Sequence, residues 1–418
     1  MAKGDLLVSL DIGTTKVQTI IAEISDSEGP ISDRIEVLGV GSAPSTGIRR
    51  GVVVDIEQTV QAIRESVEQA RRMAGADVHA AIVGVTGEHI ASLNSRGVIA
   101  ITHANREVTQ EDVDRVLENS RVIVLPPDRE IIHALPRGYS LDGQNGIRSP
   151  VGMSGTRLEV ETHIVTGATT FLRNVATCVE RAGLHVEDMV LEPIATGEAV
   201  LIEAERDLGV ALLDIGGGTS DLAIFRGGDI CYSAVIPVGG EYVTKDISAG
   251  LRVSREEAER IKLAFGRAGA PEHDADESFT FLPLGATDPI ALTVRELSEI
   301  VGPRAQEILH LLKAELNRSN YAGHLPAGLV LSGGGAMLHG LQALSVEITG
   351  MPTRIGYPAA IGGQAALVTT PASATGVGLI RWGARTHARA NARRDLSSGL
   401  FGAISHWIRR VLHDVLGH

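Results

Sequence analysis

The chain has 418 residues, of which 44% are hydrophobic and only 3% aromatic. That length allows several compact units with aliphatic cores, and the two cysteines exclude a disulfide framework and favour a reducing cytosol. The net charge of −13 is uneven: residues 381–418 hold seven arginines and two aspartates, giving +5, so the first 380 residues carry −18. An acidic body argues against nucleic-acid binding, and a basic end predicts a separate anionic partner.

The first informative element is a glycine turn between two apolar strands, Asp11-Ile12-Gly13-Thr14-Thr15-Lys16-Val17. Because glycine has no Cβ, the backbone N–H groups of such a turn can close on a phosphate. An ordinary hairpin turn explains a single copy equally well. The sequence contains no P-loop motif, which excludes that class of nucleotide site, and no complete dinucleotide-binding fingerprint, which argues against a dinucleotide-binding fold.

The sequence pattern changes after a predicted helix at about Ile56 to Met73 and a predicted strand at Val78 to Val85. Thr109-Gln110-Glu111-Asp112 is typical of a helix start, and residues 131–141 and 158–164 have the composition of strands. Residues 84–165 are therefore predicted to form a small α+β insert within the first part of the fold.

A second glycine turn, Asp214-Ile215-Gly216-Gly217-Gly218-Thr219, follows predicted helices at 169–183 and 191–204. It again lies between two apolar strands. Two such turns in matching strand contexts predict a nucleotide held between two similar lobes, the second of which starts at Val210.

A third glycine-rich element follows the predicted helices at 254–265 and 292–317. The strand Leu329 to Ser332 runs into Gly333, Gly334 and Gly335, and a helix with Leu338, Leu341 and Leu344 on one face is predicted next. Such a corner lets a flat ring or a phosphate approach the backbone near a positive helix end, although a tight packing corner would have the same pattern.

The C-terminal segment has an amphipathic pattern. Residues 381–399 contain five arginines and almost no apolar residues, which predicts a flexible basic linker. At helical spacing the next segment separates an apolar face from a polar one with two arginines, which is typical of a helix lying in a membrane surface. A terminal helix docked on the protein's own core is the alternative. The residues assigned to membrane contact are Leu400, Phe401, Ile404, Trp407, Ile408, Arg409, Arg410, Val411, Leu412, Val415 and Leu416.

In combination these elements resemble the FtsA family of actin-like bacterial division proteins, within the actin, Hsp70 and sugar-kinase superfamily. The resemblance rests on residues 11–17, 150–155, 214–225, 331–338, 354–356 and 407–410. It implies an α/β actin-like fold of two lobes with duplicated RNase H-like cores, a small α+β insert and a C-terminal amphipathic helix. The implied division is 1–83 and 166–209 for the first lobe, 84–165 for the insert, 210–380 for the second lobe with an outer subdomain at about 245–325, 381–399 for the linker, and 400–418 for the membrane helix.

The resemblance also implies a function and a site. It implies an ATP-dependent polymer that anchors FtsZ, through the FtsZ C-terminal peptide, to the cytoplasmic face of the membrane at the septum, and that recruits later division proteins. Asp11 and Asp214 would hold Mg²⁺ mostly through water, and Glu192 would orient an attacking water. The nucleotide contacts would come from Gly13, Thr14, Thr15, Lys16, Gly216, Gly217, Gly218, Thr219, Glu259, Lys262, Gly333, Gly334 and Gly335.

Other interpretations of these residues stay open. Glu259 and Lys262 are also typical of a solvated helix face, and Glu192 before Pro193 is typical of a helix start. A PilM-like pilus-assembly ATPase shares the expected fold, and so does a soluble metabolite kinase, which would need a catalytic base beside the terminal phosphate. At most a slow ATPase is expected, with the nucleotide mainly controlling assembly.

Overall fold

The structure is a computed structural model that describes residues 5–25, 34–269 and 275–388, so the predicted membrane helix at 400–416 lies outside the described residues. The strands are β1 Asp5–Ile12, β2 Lys16–Ile24, β3 Ile35–Pro44, β4 Ile48–Arg49, β5 Val52–Val53, β6 Ala80–Val85, β7 Ala91–Ala100, β8 Arg129–Leu141, β9 Gln144–Ile147, β10 Arg157–Ala168, β11 His185–Leu191, β12 Val210–Ile215, β13 Ser220–Arg226, β14 Asp229–Ile236, β15 Ser278–Phe281, β16 Ile290–Thr293, β17 Leu329–Ser332, β18 Thr353–Ile355 and β19 Gly362–Gly363. The helices are α1 Ile56–Ala74, α2 Gln110–Arg121, α3 Thr169–Arg181, α4 Glu192–Val200, α5 Glu203–Leu208, α6 Gly240–Leu251, α7 Arg255–Phe265, α8 Val294–Arg318, α9 Leu341–Thr349 and α10, described over 374–388. Within these described ranges no helix combines the length and the apolar character that crossing a bilayer requires.

Two sheets have the same arrangement of their central strands. The first has the order β11-β6-β1-β2-β3-β19 and the second the order β18-β17-β12-β13-β14. In each, a central antiparallel hairpin (β1–β2 or β12–β13) is extended by a third antiparallel strand on one side and by a parallel strand, β6 or β17, on the other. The duplication confirms the predicted two-lobed actin-like α/β fold.

The central strands are buried because helices cover both faces of each sheet. Their sequences are almost continuously apolar, as expected for strands without a solvent-facing side. Helices α4 and α10 contribute Ile194 and Ile380 to a core cluster that also holds Ile20 of the first sheet and Leu212 of the second. One hydrophobic core therefore connects the two halves of the molecule.

The segment between β6 and α3 forms its own sheet, in the order β7-β10-β8-β9, with α2 packed against it. Helix α2 starts where predicted, at a capping box in which Thr109 and Asp112 satisfy each other's backbone N–H groups. Ser92 Oγ donates to the backbone oxygen of Ser233 at 2.7 Å, and a ring nitrogen of His163 lies 3.0 Å from Ser233 Oγ. The insert is thus fastened to β14, the edge strand of the second sheet.

The prediction of a flexible linker from Arg381 is wrong for residues 381–388, which continue helix α10. Trp382 packs against the central core and donates its Nε1–H to Asp188 at 2.9 Å, while Arg385 pairs with Glu198 at 2.9 Å. The composition of this stretch is basic, but its ion pairs and its single tryptophan anchor it to β11 and α4.

The helix predicted to follow the third glycine-rich element also differs. Gly334–Met337 form a 3-10 turn, and α9 begins only at Leu341. Gly340 has φ of 80°, a left-handed conformation that interrupts helical geometry between Leu338 and Leu341. The two leucines are therefore not on one continuous helix, although Leu341 and Leu344 are both buried on α9.

Candidate nucleotide-binding site

The two predicted phosphate turns have the same local geometry. Gly13 N donates to the backbone oxygen of Lys16 at 3.0 Å, and Gly216 N donates to that of Thr219 at 2.9 Å. Each bond closes a four-residue loop at the end of its hairpin. Turns of this kind can offer backbone N–H groups to an anion.

These turns touch each other across the cleft between the two halves. A Cβ added to Gly217 would lie 2.6 Å from Thr15 Cγ2, and one added to Gly218 would meet Thr14 Oγ1. Both added Cβ atoms would be closer to these threonine atoms than a carbon–carbon or carbon–oxygen contact allows. Glycine is therefore required at both positions for the two turns to approach this closely.

Four carboxyl groups lie around the turns: those of the buried residues Asp11, Asp214 and Asp221, and that of the partly buried Glu192. Burial and the charge of Asp214 raise the pKa of Asp11 to about 6, against the opposing effect of Lys16. Burial, with a further contribution from Asp214, raises the pKa of Asp221 to about 7. Negative charges shielded from water repel each other strongly. A cation bound among these carboxyl groups would therefore stabilise their charged forms.

Threonine hydroxyls hold two of these carboxylates in place. Asp214 accepts hydrogen bonds from Thr196 and, at 3.2 Å, from Thr375. Asp221 accepts them from Thr86 and, at 3.0 Å, from Thr219. Because these threonines come from different parts of the chain, the position of each carboxylate depends on how the two halves are packed.

Lys16 is the cation of the first turn. Its Nζ donates to the backbone oxygen of Ala372 at 2.5 Å and to Gln18 Oε1 at 3.2 Å. Burial lowers its pKa, while Asp11 and Asp214 act in the opposite direction. The ammonium group therefore lies within electrostatic range of both predicted metal-binding aspartates.

Glu192 begins helix α4 at the junction of the two halves. Burial, then the charges of Asp11, Asp221 and Asp214, raise the pKa of its carboxyl group well above the usual value. Its Oε1 is buried and makes no hydrogen bond with the described residues. A buried acceptor without a partner is costly, so this oxygen is suited to a water or another donor brought by a ligand.

The carboxyl groups do not form a ready-made chelate. Among the described residues, no three histidine, cysteine or acidic side chains are placed to hold one metal ion directly. Mg²⁺ keeps much of its hydration shell and commonly takes only one or two protein carboxylates. The donor set is compatible with an ion held largely through water, and the Mg²⁺ role of Asp11 and Asp214 stays a prediction.

The third glycine-rich element packs on the end of β12. A side chain on Gly333, whose φ is 79°, would collide with Asp214, and one on Gly335 would collide with Ile215. Gly334 lies nearest to Ala372, the residue whose oxygen binds Lys16. All three predicted glycines thus border the same cleft as the two turns.

Glu259 and Lys262 lie on α7 at the outer side of the cleft. Lys262 Nζ contacts Glu259 Oε2 at 2.7 Å, Thr244 Oγ1 at 2.9 Å and the oxygen of Gly240 at 3.3 Å. A Cβ on Gly240 would lie 3.7 Å from Gly335 Cα and 4.0 Å from Lys262 Nζ. The pair therefore lies beside the glycine-rich corner and not on a purely solvated helix face.

Some residues of this site were not identified from the sequence. A signal existed for Asp221: in a hairpin closed by a four-residue turn it lies directly opposite Asp214, and the register confirms this pairing. Thr86, Thr196 and Thr375 offered no signal, because isolated threonines far apart in sequence carry no pattern.

Two family models match this chain. One, described as "SHS2 domain inserted in FTSA", covers residues 87–166, and the other, "Cell division protein FtsA", covers residues 211–378. Solved structures support the fold alone. A PilM–PilN type IV pilus biogenesis complex matches with a TM-score of 0.64 and 17% identity, covering 89% of this chain and 97% of that one. MreB5 of Spiroplasma citri bound to ADP matches with a TM-score of 0.55 and 16% identity, covering 93% and 98%.

Curated relatives match over nearly the whole length. "Cell division protein FtsA" of Pseudomonas aeruginosa is 43% identical over 91% of this chain and 89% of its own length. The Bacillus subtilis protein of that name is 41% identical over 94% and 87%, and the Escherichia coli K12 protein is 33% identical over 97% and 96%. Together with the two family models and the duplicated actin-like fold, these similarities show that the chain belongs to the FtsA family of cell-division proteins.

Proposed function

We propose that this protein binds ATP with Mg²⁺ between its two halves, polymerises, and tethers FtsZ to the cytoplasmic face of the membrane at the division site. The observation that carries the nucleotide part is the direct contact between the two glycine turns, beside three buried aspartates, the partly buried Glu192 and one lysine. Family membership supports the role in division, and the amphipathic pattern at 400–416 supports the tether.

Different groups of the chain would bind different parts of a triphosphate. The backbone N–H groups of residues 14–16 and 217–219 would bind phosphate oxygens from opposite sides. Lys16 would offset part of the phosphate charge, and Asp11 and Asp214 would hold Mg²⁺ through its water ligands. The metal ion, when bound, would neutralise charge on the phosphates. The glycine-rich corner at 333–335, with Glu259 and Lys262, would bound the adenosine.

Slow turnover follows from the environment of Glu192. Burial and the neighbouring acidic groups raise the pKa of its carboxyl group well above the usual value, which disfavours the charged form that would accept a proton. Glu192 would therefore orient a water rather than activate it strongly. Such a site holds ATP for long periods, which suits a nucleotide that controls assembly.

The FtsZ contact is proposed for the outer subdomain, at about 245–325, where the family resemblance places it. Later division proteins would bind elsewhere on the filament. The structural likeness to the PilM–PilN complex is a likeness of fold at 17% identity, and the curated relatives are division proteins, so a pilus-assembly role is not proposed. Titrating the full chain with an FtsZ C-terminal peptide and mapping cross-links tests this assignment, and cross-links confined to residues outside 245–325 would contradict it.

Co-sedimentation with vesicles tests the tether. The full chain, a version ending at Gly399 and the variant Trp407→Glu are mixed with anionic or zwitterionic vesicles, with and without Mg-ATP. We expect only the full chain to pellet with anionic vesicles, most strongly with ATP, because assembly multiplies a modest single-helix affinity. Nucleotide binding should be equal in all three proteins. Equal pelleting of all three would overturn the tether, and absence of ATP binding would overturn the nucleotide assignment.

A further inference from the structure

A short hairpin of the first half lies against both phosphate turns. Strands β4 and β5 are joined by Arg50 and Gly51, with φ values of 51° and 73°. Two consecutive left-handed residues make a tight turn of the kind that favours glycine, and Arg50 adopts this conformation at some cost. A non-glycine residue held in this way by its surroundings is a candidate for a specific role.

The backbone of this hairpin contacts one residue from each turn. Gly51 N lies 3.4 Å from Thr14 Oγ1 of the first turn, and a Cβ on Gly218 of the second turn would lie 3.0 Å from the N and Cα of Arg50. On its other side, a Cβ on Gly51 would meet the backbone of Thr86 at 2.9 Å. The hairpin therefore cannot shift without disturbing both turns and Thr86, the partner of Asp221.

The side chain of Arg50 reaches the second half of the molecule. Its Nε donates to Tyr242 OH at 2.5 Å, its guanidinium carbon lies 5.6 Å from the centre of the Tyr242 ring, and its Nη1 pairs with Glu88 at 2.8 Å. Arg50 thus connects the hairpin to the first turn of α6 through a hydrogen bond and a cation–π contact.

Helix α6 is itself bonded to the second phosphate turn. Gly240 N donates to the oxygen of Gly216 and Glu241 N to that of Gly217, both at 2.9 Å. Tyr242 is the next residue. Displacement of the second turn would therefore move Tyr242 relative to Arg50, and displacement of the first turn would move Arg50 relative to Tyr242.

We propose that Arg50 is a positioning residue that keeps the two phosphate turns closed on a bound triphosphate by holding Tyr242 across the cleft. This inference rests on the proposed nucleotide function and adds a residue to it. Arg50 acts through Tyr242 and through its own backbone contact with Gly218, without touching the phosphates by its side chain. Its side chain is 44% exposed, so the expected effect is on the lifetime of the closed state rather than on folding.

The test measures release of a fluorescent ATP analogue, in Mg²⁺, from full-length variants. We expect Arg50→Ala to release it about three- to tenfold faster than the unchanged protein. Arg49→Ala is the matched control, because Arg49 is the preceding residue and its side chain has no ion pair or hydrogen bond with any other described residue. Arg50→Lys, which keeps the charge but loses the planar fork, should be intermediate.

A double-mutant cycle separates this role from a general loss of structure. In a Tyr242→Leu background, Arg50→Ala should change release by less than about twofold, because its partner is already missing. Release at the unchanged rate in Arg50→Ala and Arg50→Lys, or full acceleration in the Tyr242→Leu background, would overturn the inference. If Arg50→Ala lowers the unfolding midpoint of the nucleotide-free protein, the release rate of Arg50→Lys alone is used to judge the inference. Normal ATP binding with no effect of Arg50 refutes only this inference, whereas failure of the unchanged protein to bind ATP removes the proposed function as well.

Discussion

The side chain of Thr15 occupies the space that a side chain on Gly217 would need. The two residues belong to different halves of the molecule, and Thr15 Cγ2 would lie only 2.6 Å from a Cβ on Gly217. This contact makes the closed arrangement of the cleft sensitive to a single methyl group. It also means that the two turns can be separated by substitution without altering either sheet.

Gly217→Ala should weaken ATP binding by about tenfold, because the added methyl forces the two turns apart. Thr15→Ala removes the colliding atoms, so the double variant should bind more tightly than Gly217→Ala alone. Equilibrium titration with a fluorescent ATP analogue measures both. The control is Gly269→Ala, since a Cβ there meets no atom of the described residues within 4 Å. Equal affinity of Gly217→Ala and the unchanged protein would show that the turns do not close on the nucleotide.

Glu192→Gln should stabilise the nucleotide-free protein at pH 8, because the amide keeps the shape of the side chain without its unfavourable charge. The raised pKa of Glu192 means that stability is lost as pH rises above the unfolded value of 4.5, so the gain should vanish near pH 4. ATP turnover should fall at least about tenfold in Glu192→Ala, which removes the group that would orient the water.

Urea unfolding of Glu192→Gln at the two pH values and single-turnover hydrolysis by Glu192→Ala measure these effects. The exposed Glu203→Gln serves as the control. Unchanged turnover would remove Glu192 from the catalytic assignment, and an equal gain in stability at both pH values would mean that its charge is not the cause.

His163 should make the protein sensitive to acid. Burial, then Arg137 and His133, lower its pKa from 6.5 to about 3. The unfolded chain therefore takes up the proton first, and stability is lost as pH falls below about 6.5. Between pH 7 and pH 5 this site alone should cost about 2 kcal/mol. Urea unfolding of His163→Gln should show a shallower pH dependence, whereas the exposed His79→Gln should behave as the unchanged protein; parallel pH profiles for all three would refute the assignment.

The end of α10 should be part of the folded core. A chain ending at Ala388 should unfold with the same midpoint as the full chain. A chain ending at Ile380 lacks Trp382, whose ring lies 5.4 Å from that of His133, and should lose about 3–5 kcal/mol. Thermal unfolding of the three proteins measures this. Identical midpoints for both shortened chains would mean that residues 381–388 contribute nothing to stability.

The architecture was largely predictable because its signals are local and repeated. Each phosphate turn lies between two apolar strands, and the same pattern recurs at Asp214, so the duplication could be inferred before any contact was known. Helix α2 was predictable from its capping box at Thr109. The insert's attachment to β14 was not, because the polar pair His163 and Ser233 is ordinary when each residue is considered in its own strand.

Two features were not predicted correctly from the sequence, and each has a specific physical cause. Residues 381–388 look like a linker by composition, but ion pairs with Glu198 and Glu187 and the contacts of Trp382 stabilise a helix. Arg50 looks like one of two surface arginines, and only the left-handed turn places its side chain on Tyr242. Long-range partners of this kind depend on how elements pack, which the spacing of residues within one element does not reveal.

The two equivalent hairpins have become chemically unlike each other. In the first, Gln18 pairs with Asp11 in the register and its amide binds Ser373 at 3.1 Å; in the second, Asp221 holds the matching place opposite Asp214. Likewise Lys16 and Thr219 occupy matching turn positions. A protein with two identical halves could bind an asymmetric ligand in either of two orientations. Because the lysine lies on one turn and the additional aspartate lies beside the other, a nucleotide bound as proposed between the two halves would have a single orientation.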